Sequence, residues 1–431
     1  MHEHVKQRSL LMEGKLRHGG GAEESGDGSA PVKLSAQCRL LLLVNGLFAT
    51  ANSLSGTFVN VYLWKVKNDY SMIAMFNLSH HITMALVFWL AGKWIKEHNK
   101  MNALRTGVAV SAVFYSVVLL LGTSAVNYVV GLGLIQGISS ALFWCAFNVI
   151  YFEVTERDTR DKFNGYAGLL TSAAGMAAPW ISGVLITGMG DSAGYRLIFS
   201  ISLAIFLVAT VCSFFLKKRK PLGRYQWFYG VSMIRQKKNP WRKIGAAMIA
   251  QGIREGVFGF LIGLLVFIAT GNELKLGNYA LITSAIGLVS FMLAGRLLRP
   301  KFRKWAMLCG IIGMILVILP LFGEVSYRTL LIFGIGTALF IPLYSIPTTS
   351  VVFDIIGKNQ ESAAQMVEYI VLRELGLNFG RITGVLVFIA VVTQTTDPKM
   401  MNWLLLGVGS SPLIVWLLLS RWLRQAGVRD A

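Results

Sequence analysis

Two adjacent charged residues, Arg254 and Glu255, interrupt the long apolar run 244–270. A membrane-spanning helix needs about 20 apolar residues at a rise of about 1.5 Å each, so both charges are expected near the middle of a span. Each costs about 3 kcal/mol there, and more if it faces lipid unpaired. Such residues either form an ion or substrate pathway or hold two helices together as an ion pair. We take the pathway as the leading hypothesis.

A second apolar run, 362–391, also carries charge. Glu374, Asn378 and Arg381 recur at i, i+4 and i+7, which places them in one polar stripe along a helix. Arg373 points about 100° away from this stripe. The run is therefore predicted to contribute an acid and two bases to the membrane interior.

A proton-coupling site requires an acid shielded by burial and a base that can reset it. Glu255 and Glu374 are the candidate acids, and Arg254 and Arg373 are the candidate bases. Adjacent residues on a helix point apart, so we expect Glu255 to pair with Arg373 across two helices. By the same geometry, we expect Glu374 to pair with Arg254.

Two histidines, His80 and His81, lie about ten residues into the apolar run 71–92. Imidazoles can relay protons near neutral pH. A membrane histidine can also simply bond a neighbouring helix. We include both residues in the predicted ion pathway and leave this alternative open.

The composition of the chain excludes most other classes of protein. The chain has 431 residues, of which 54% are hydrophobic and 14% charged, as expected for a polytopic membrane protein. The net charge of +20 does not indicate nucleic-acid binding, because the basic residues lie in short loops between apolar segments. No phosphate-binding loop, paired carboxylates or metal-ligand spacing is present in the sequence. We therefore expect no enzyme activity, cofactor, metal or ATPase subunit.

The apolar segments predict an all-α membrane protein with twelve transmembrane helices. They lie at about 39–64, 71–92, 102–122, 126–152, 164–188, 195–216, 244–270, 278–298, 304–322, 328–352, 362–391 and 400–420. The predicted domains are a disordered tail (1–38), a six-helix bundle (39–216), a basic linker (217–243), a second six-helix bundle (244–421) and a short tail (422–431).

The distribution of lysine and arginine predicts the orientation. If both termini are cytoplasmic, the outer loops receive few basic residues: Lys65, Lys67, Arg196, Lys275, Arg328 and Lys399. Cytoplasmic loops carry the excess of basic residues, so we expect both tails and the linker in the cytoplasm of a cell with this protein in its plasma (inner) membrane.

The two halves repeat weakly. Asn45-Gly46 and Gln251-Gly252 open the first and seventh spans, and Glu153 and Asp354 close the fourth and tenth. Inverted or parallel repeats of this kind are typical of transporters. With its six-plus-six layout, the chain resembles the major facilitator superfamily (MFS) of secondary transporters over about 39–421. The resemblance implies two pseudo-symmetric six-helix bundles.

The family commonly carries a loop after the second helix with a glycine and, four residues later, an aspartate. This chain has Gly92 and Lys96 at those places, followed by Lys100, and the second half has Gly295 and Arg299. The aspartate is thus replaced by a base in both halves. In the family this loop helps to close the cytoplasmic gate against the opposite half.

The resemblance therefore implies a gate of reversed polarity. It would place Lys96 near Glu361 or Glu368, and Arg299 near Asp158 or Asp161. Glu153 and Asp354 belong to the same predicted cytoplasmic gate. The alternative is that these loops are basic only because cytoplasmic loops usually are.

In the family the first, fourth, seventh and tenth helices line the central cavity, and the eleventh flanks it. The predicted substrate cavity on these helices consists of Asn45, Asn52, Gln136, Ser140, Trp144, Phe147, Asn148, Thr337, Phe340, Tyr344 and Asn378. Its aromatic stripes suit an amphipathic or lipid-like molecule, although ordinary packing also explains them.

The sequence thus predicts a monomeric secondary transporter that works by alternating access and exports a small amphipathic compound, driven by protons. Flipping of a lipid-linked precursor, uptake of a sugar or metabolite, and a non-transporting sensor remain alternatives.

Overall fold

The computed structural model describes residues 34–155, 157–237, 239–356, 365–395 and 397–426, and these are almost entirely helical. The first half contains α1 (Ala36–Lys67), α2 (Tyr70–Glu97), α3 (Lys100–Leu121), α4 (Val129–Val154), α5 (Arg157–Met189) and α6 (Asp191–Phe214). The second half contains α7 (Trp241–Thr270), α8 (Glu273–Leu297), α9 (Arg303–Leu316), α10 (Tyr327–Ile356), α11 (Met366–Val392), α12 (Pro398–Gly409) and α13 (Pro412–Ala426). A short linker helix, Tyr229–Arg235, lies between the halves.

Within the described ranges, 11 helical stretches are long and apolar enough to cross a membrane. One of them, Lys100–Val154, consists of α3 and α4 joined by a 3-10 turn, Gly122–Tyr128, and therefore accounts for two crossings. Helices α12 and α13 together form the last crossing. The predicted all-α fold with twelve crossings is confirmed.

The turns between the first two helices of each half are built alike. Asn68 has a φ of 51° and ends α1, and Asp69 then caps α2 by accepting from the Ser71 and Met72 amides. Gly271, with a φ of 57°, ends α7, and Asn272 caps α8. A left-handed residue followed by an N-capping side chain reverses the chain within two residues. This shared geometry adds to the evidence for internal repetition.

The two halves meet along two seams, one between α2 and α11 and the other between α5 and α8. Glycine allows the second seam to close. A β-carbon on Gly183 would lie 2.6 Å from the Glu273 carbonyl oxygen, and one on Gly277 would lie 2.8 Å from that of Pro179. Small residues let helix backbones approach each other in this way.

The close glycine contacts of the α5–α8 seam lie towards one end of the bundle. We call the end of the bundle that carries the linker the linker face, and the other end the opposite face. Gly183 and Gly277 lie towards the opposite face, whereas Gly165 and Gly168 of α5 and Gly295 of α8 have open space around them towards the linker face.

Candidate functional site

A cavity of about 630 Å³ lies between the two halves. The polar residues of its lining include Asn52, Asn60, Asn77, His80, His81, Gln136, Glu255, Thr283 and Ser284. The apolar residues of its lining include Phe76, Pro179, Phe260, Ile262 and Leu276. Both halves contribute residues of each kind, so movement of one half against the other must change the shape of the cavity.

Glu255 is the charged residue of α7 that lines this cavity. Its Oε2 accepts hydrogen bonds from Arg381 Nη2 at 2.7 Å and Nε at 3.2 Å, and its Oε1 accepts from Gln251 Nε2 at 2.8 Å. The Glu255 side chain is 35% exposed and that of Arg381 is 17% exposed. The pair is therefore both tightly held and accessible from the cavity.

Arg381 lies between two carboxylates. Its Nη1 donates to Asn378 Oδ1 at 3.2 Å and lies 3.8 Å from Glu374 Oε2. Glu374 Oε1 accepts from Arg373 Nη1 at 2.9 Å. The expected pair of Glu255 with Arg373 is therefore wrong.

The expected pair of Glu374 with Arg254 is also wrong. Arg254 is buried, and its Nε and Nη2 have no hydrogen-bond partner among the described residues. Its guanidinium carbon lies 4.6 Å from the centre of the Phe258 ring. Arg254 therefore points away from α11.

Glycines set the register that brings Glu255 to Arg381. A β-carbon on Gly252 would collide with the Leu377 carbonyl oxygen, and one on Gly380 would collide with that of Ile249. A β-carbon on Gly256 would similarly lie 2.5 Å from the Arg381 carbonyl oxygen. Because α7 and α11 touch through bare backbone, the side chains beside these glycines meet directly.

The two histidines lie on the α2 side of the α2–α11 seam. The His80 and His81 rings are 5.0 Å apart, and each buried Nδ1 lacks a hydrogen-bond partner within the described ranges. Both imidazoles lie within electrostatic reach of Arg381, and His81 also faces Asn378. The structure thus places the two histidines beside the charged cluster of α7 and α11.

The predicted substrate residues fall into separate places. Asn52 and Gln136 line the cavity, and Asn378 is fully buried beside it, donating to the Glu374 carbonyl oxygen at 2.9 Å. The predicted set missed Thr283 and Ser284 of α8. The signal for these was weak, because α8 has no charge in its middle and isolated hydroxyls are common in membrane helices.

The aromatic stripe of α4 is a packing cluster and does not line this cavity. Phe48 stacks on Phe143, and Trp144 and Phe147 pack edge-on to each other. The other predicted residues of this region, Asn45, Ser140 and Asn148, are also absent from the cavity wall. The edge-on contact of Trp144 with Phe48, at 6.2 Å between ring centres, joins this aromatic stripe to α1.

The α10 stripe is also away from the cavity. The Phe340 ring packs on Gly313 of α9, where a β-carbon would lie 2.5 Å from the ring. The hydroxyl oxygens of Thr337 and Tyr344 are buried without a hydrogen-bond partner in the described part of the chain.

At the linker face, Lys96 joins the two halves. Its Nζ lies 2.6 Å and 2.8 Å from the Glu368 carboxylate oxygens and 2.8 Å from Gln365 Oε1. The side chains of Lys96 and Glu368 are 3% and 1% exposed. The Gln226 amide of the linker also donates to Glu368 at 3.0 Å. Glu368 is one of the two acids that the resemblance placed near Lys96.

The linker packs on the same face. A β-carbon on Gly92 would lie 2.8 Å from the Tyr225 ring, so glycine gives the linker room to lie on α2. Burial raises the pKa of the Tyr225 phenol. Lys100 pairs with Glu153 and also donates to the Lys220 carbonyl oxygen at 3.2 Å. Lys100 and Glu153 therefore hold the linker to the first half.

The second copy of the loop makes no comparable contact in the described chain. Gly295 and Arg299 are exposed. The side chains of Asp158 and Asp161, the predicted partners of Arg299, lie outside what the structure describes, and so does that of the predicted gate residue Asp354. Glu361, the other predicted partner of Lys96, lies outside the described residues altogether.

A second ion pair joins the halves at the opposite face. Lys65 Nζ of the first half lies 2.8 Å from Glu273 Oε1 of α8, and the Tyr195 hydroxyl donates to the same oxygen at 3.1 Å. The side chains of Lys65 and Glu273 are 26% and 6% exposed, respectively. This pair was not among the predicted gate residues.

Comparison with known proteins identifies relatives over most of the chain. The family model described as the Major Facilitator Superfamily matches residues 41–364. The protein YqgE of Bacillus subtilis (strain 168) is 41% identical over 381 residues, which cover 87% of each chain. A protein encoded in the sodM 3' region of Geobacillus stearothermophilus is 42% identical over 190 residues, 44% of this chain and 87% of that protein.

Two solved structures share the fold. The nucleoside transporter NupG, studied as a point mutant, matches with a TM-score of 0.67 and 15% identity over 89% of this chain and 99% of its own. A bacterial homologue of the iron transporter ferroportin, in an outward-facing state, matches with a TM-score of 0.62 and 14% identity over 90% of this chain and 99% of its own. Among the described residues, no group of three or more His, Cys, Asp and Glu side chains has the arrangement of a metal site.

Proposed function

The chain belongs to the Major Facilitator Superfamily, and we propose that it is a proton-coupled secondary transporter that exports a small amphipathic organic compound. The family and the solved transporters of the same fold support secondary transport. The observation that carries the finer proposal is the Glu255–Arg381 pair, at 2.7 Å, on the wall of a cavity between the two halves.

In this proposal Glu255 takes up and releases the transported proton. A proton that enters from the cavity binds the Glu255 carboxylate and removes its negative charge. Arg381 then loses its main partner and turns to Glu374, whose Oε2 already lies 3.8 Å from Nη1. Release of the proton reverses the exchange. The guanidinium thus moves between two carboxylates without being left unpaired, which keeps the cost of each step low.

The exchange is placed where it can affect the seam between the halves. Arg381 lies on α11, which packs against both α7 and α2. His80 and His81 face it from α2, so a change in the position of its charge alters the electrostatic environment of the other half. His80 and His81 relay the proton in this proposal, one of the two roles expected for them from the sequence.

The cross-half ion pairs serve as gates. Lys96–Glu368 closes the linker face along α2 and α11, and Lys65–Glu273 closes the opposite face. Alternating access requires the halves to separate at one face at a time. The linker face lies in the cytoplasm in this proposal, because the linker has the basic runs 217–220 and 235–238. The transporter acts as a monomer in the plasma (inner) membrane.

The mixed lining of the cavity supports an amphipathic substrate. Carboxamides and hydroxyls of the lining offer donors and acceptors, and Phe260 and Leu276 of the same lining offer apolar surface. The alternative functions are flipping of a lipid-linked precursor, uptake of a sugar or metabolite, and sensing without transport. Each would give a different pattern of flux in proteoliposomes.

The experiment measures flux in proteoliposomes with an imposed pH gradient. Substrate candidates are first found by thermal stabilisation of the purified protein. We expect the pH gradient to drive the wild type, and Glu255→Gln to retain exchange of substrate but to lose gradient-driven accumulation. Glu324→Gln, which neutralises an exposed acid on a loop, is the matched control.

The sign of accumulation identifies the direction. Export predicts that vesicles with the linker face outward and an acidic interior accumulate the compound. Intact gradient-driven accumulation in Glu255→Gln would contradict the coupling role. Binding without flux under any gradient would favour the sensor.

A further inference from the structure

The middle of α7 and α11 carries an unbalanced charge. Two acids, Glu255 and Glu374, face three bases, Arg254, Arg373 and Arg381. The acids are occupied by Arg381 at 2.7 Å and Arg373 at 2.9 Å. The remaining positive charge is therefore that of Arg254.

Arg254 is buried in the second half, within electrostatic reach of Glu255 but without an ion pair to either acid in the described chain. The residue is 8% exposed, and its Nε and Nη2 have no hydrogen-bond partner within the described ranges. It is one residue from Glu255, so it points about 100° away from the cavity wall. The Phe258 ring covers the guanidinium at 4.6 Å but leaves the N–H groups at its edge unsatisfied.

Helix α10 adds further unsatisfied hydroxyls to this region. Tyr344 is 5% exposed, lies within electrostatic reach of Arg254, and has no hydrogen-bond partner for its hydroxyl in the described chain. Thr337 and Ser345 on the same helix also have buried hydroxyl oxygens without partners. Thr337 and Tyr344 are seven residues apart and share one helix face.

These groups define the chemistry of a missing partner. A guanidinium only donates hydrogen bonds, and a hydroxyl can donate one. A buried charge without a partner is costly in a membrane, so a ligand that supplies a negative charge and acceptors is strongly favoured. The planar fork of arginine fits the two oxygens of a carboxylate or a phosphoryl group.

We propose that Arg254 and Tyr344, between α7 and α10, bind the oxyanion of the transported compound, which is a carboxylate or a phosphoryl group. This inference rests on the proposed function, because it identifies the polar end of the exported amphipathic compound. Arg254 adjoins Glu255 in sequence, so the substrate anion and the transported proton would be bound by neighbouring residues of one helix.

The test measures binding to the full-length protein in detergent free of phospholipid, at fixed pH and without a gradient. The probes are benzoate and phenyl phosphate, with benzamide as the uncharged match for benzoate. In the wild type we expect an oxyanion to bind at least about tenfold more tightly than benzamide, as expected for charge-assisted hydrogen bonds. We expect Arg254→Gln to abolish this difference and to leave benzamide binding unchanged.

Two further variants keep the test decisive. Arg254→Lys retains the charge without the fork and should bind the oxyanion with intermediate affinity. Tyr344→Phe removes only the hydroxyl, and we expect it to lower the affinity for the oxyanion several-fold. This variant carries the test if Arg254→Gln does not fold. Thermal unfolding without a probe verifies the fold of each variant.

The overturning results are equally specific. Equal oxyanion affinity in wild type and Arg254→Gln, or no preference over benzamide, would overturn the inference. A response to chloride alone, or to short-chain phosphatidylglycerol alone, would overturn the transported compound as the source of the oxyanion. None of these outcomes depends on coupling, whereas failure of the proposed function appears in the flux of Glu255→Gln.

Discussion

Replacing Lys96 with methionine tests whether its ion pair closes the linker face. Lys96 and Glu368 are 3% and 1% exposed, and the lysine meets both carboxylate oxygens. Removing one partner of a buried pair costs about 3–5 kcal/mol, because the other charge remains buried. The Gln226 amide still donates to Glu368 at 3.0 Å and offsets about 1 kcal/mol. The net loss of about 2–4 kcal/mol corresponds to a shift of roughly 30- to 1,000-fold towards the open linker face.

The assay measures the distance between the halves at this face. Spin labels on His98→Cys and Arg242→Cys, both exposed positions, report the distance by double electron–electron resonance. The four native cysteines are first replaced. We expect Lys96→Met to move most molecules to a longer distance. Lys93→Met is the matched control, since Lys93 is near Lys96 but contacts the Trp227 ring at 5.6 Å.

A charge exchange provides the second test. Lys96→Glu combined with Glu368→Lys restores opposite charges at the same place. Lys96 lies in the last turn of α2 and Glu368 in the first turn of α11, so the exchanged charges oppose both helix dipoles. Rescue should fall short by about 1–2 kcal/mol. An unchanged distance in Lys96→Met, or an equal change in Lys93→Met, would refute the role of the pair.

The remaining predictions concern stability in detergent, measured as the thermal unfolding midpoint. Arg254→Met should raise the stability of the ligand-free protein by about 2 kcal/mol because it removes an unpaired buried charge. Arg381→Met should lower the stability by about 2 kcal/mol because it leaves Glu255 unpaired. A loss of stability in both variants would mean that Arg254 has a structural partner. Gly252→Ala should cost at least about 1–3 kcal/mol because its new methyl group meets the backbone of α11. Gly259→Ala, with nothing within 4 Å, should change stability little, and equal effects of the two glycine variants would contradict the close packing of α7 on α11.

The charged residues of the membrane interior could be found from sequence, but their pairing could not. The i, i+4, i+7 stripe correctly placed Asn378 and Arg381 together, and they are hydrogen-bonded at 3.2 Å. The partner of Glu255 depends on how far α7 is rotated and shifted against α11. The glycines set that register, and their spacing along each helix was visible in the sequence. Knowing which glycine meets which required the packed structure.

The linker shows a different limit of sequence reasoning. Its basic composition predicted a loop, and the extended part of the linker has no helical or strand period from which contacts could be inferred. In the structure Tyr225 lies on Gly92 and Gln226 donates to Glu368. These contacts combine residues more than a hundred positions apart. The glycine at position 92 is thus explained by the close approach of the linker residue Tyr225.

The two cross-half ion pairs share a polarity that bears on how coupling could operate. In each pair the first half supplies a lysine and the second half a glutamate, but Lys65 is 26% exposed whereas Lys96 is 3% exposed. The pair at the opposite face is therefore more strongly screened by water and is the easier one to break. Glu368 lies on α11, the helix that also carries Arg381. In the proposed mechanism, protonation of Glu255 would free Arg381 from α7 and so loosen α11, the helix that carries Glu368. Proton uptake would thus act on the linker face, where the more deeply buried of the two ion pairs lies.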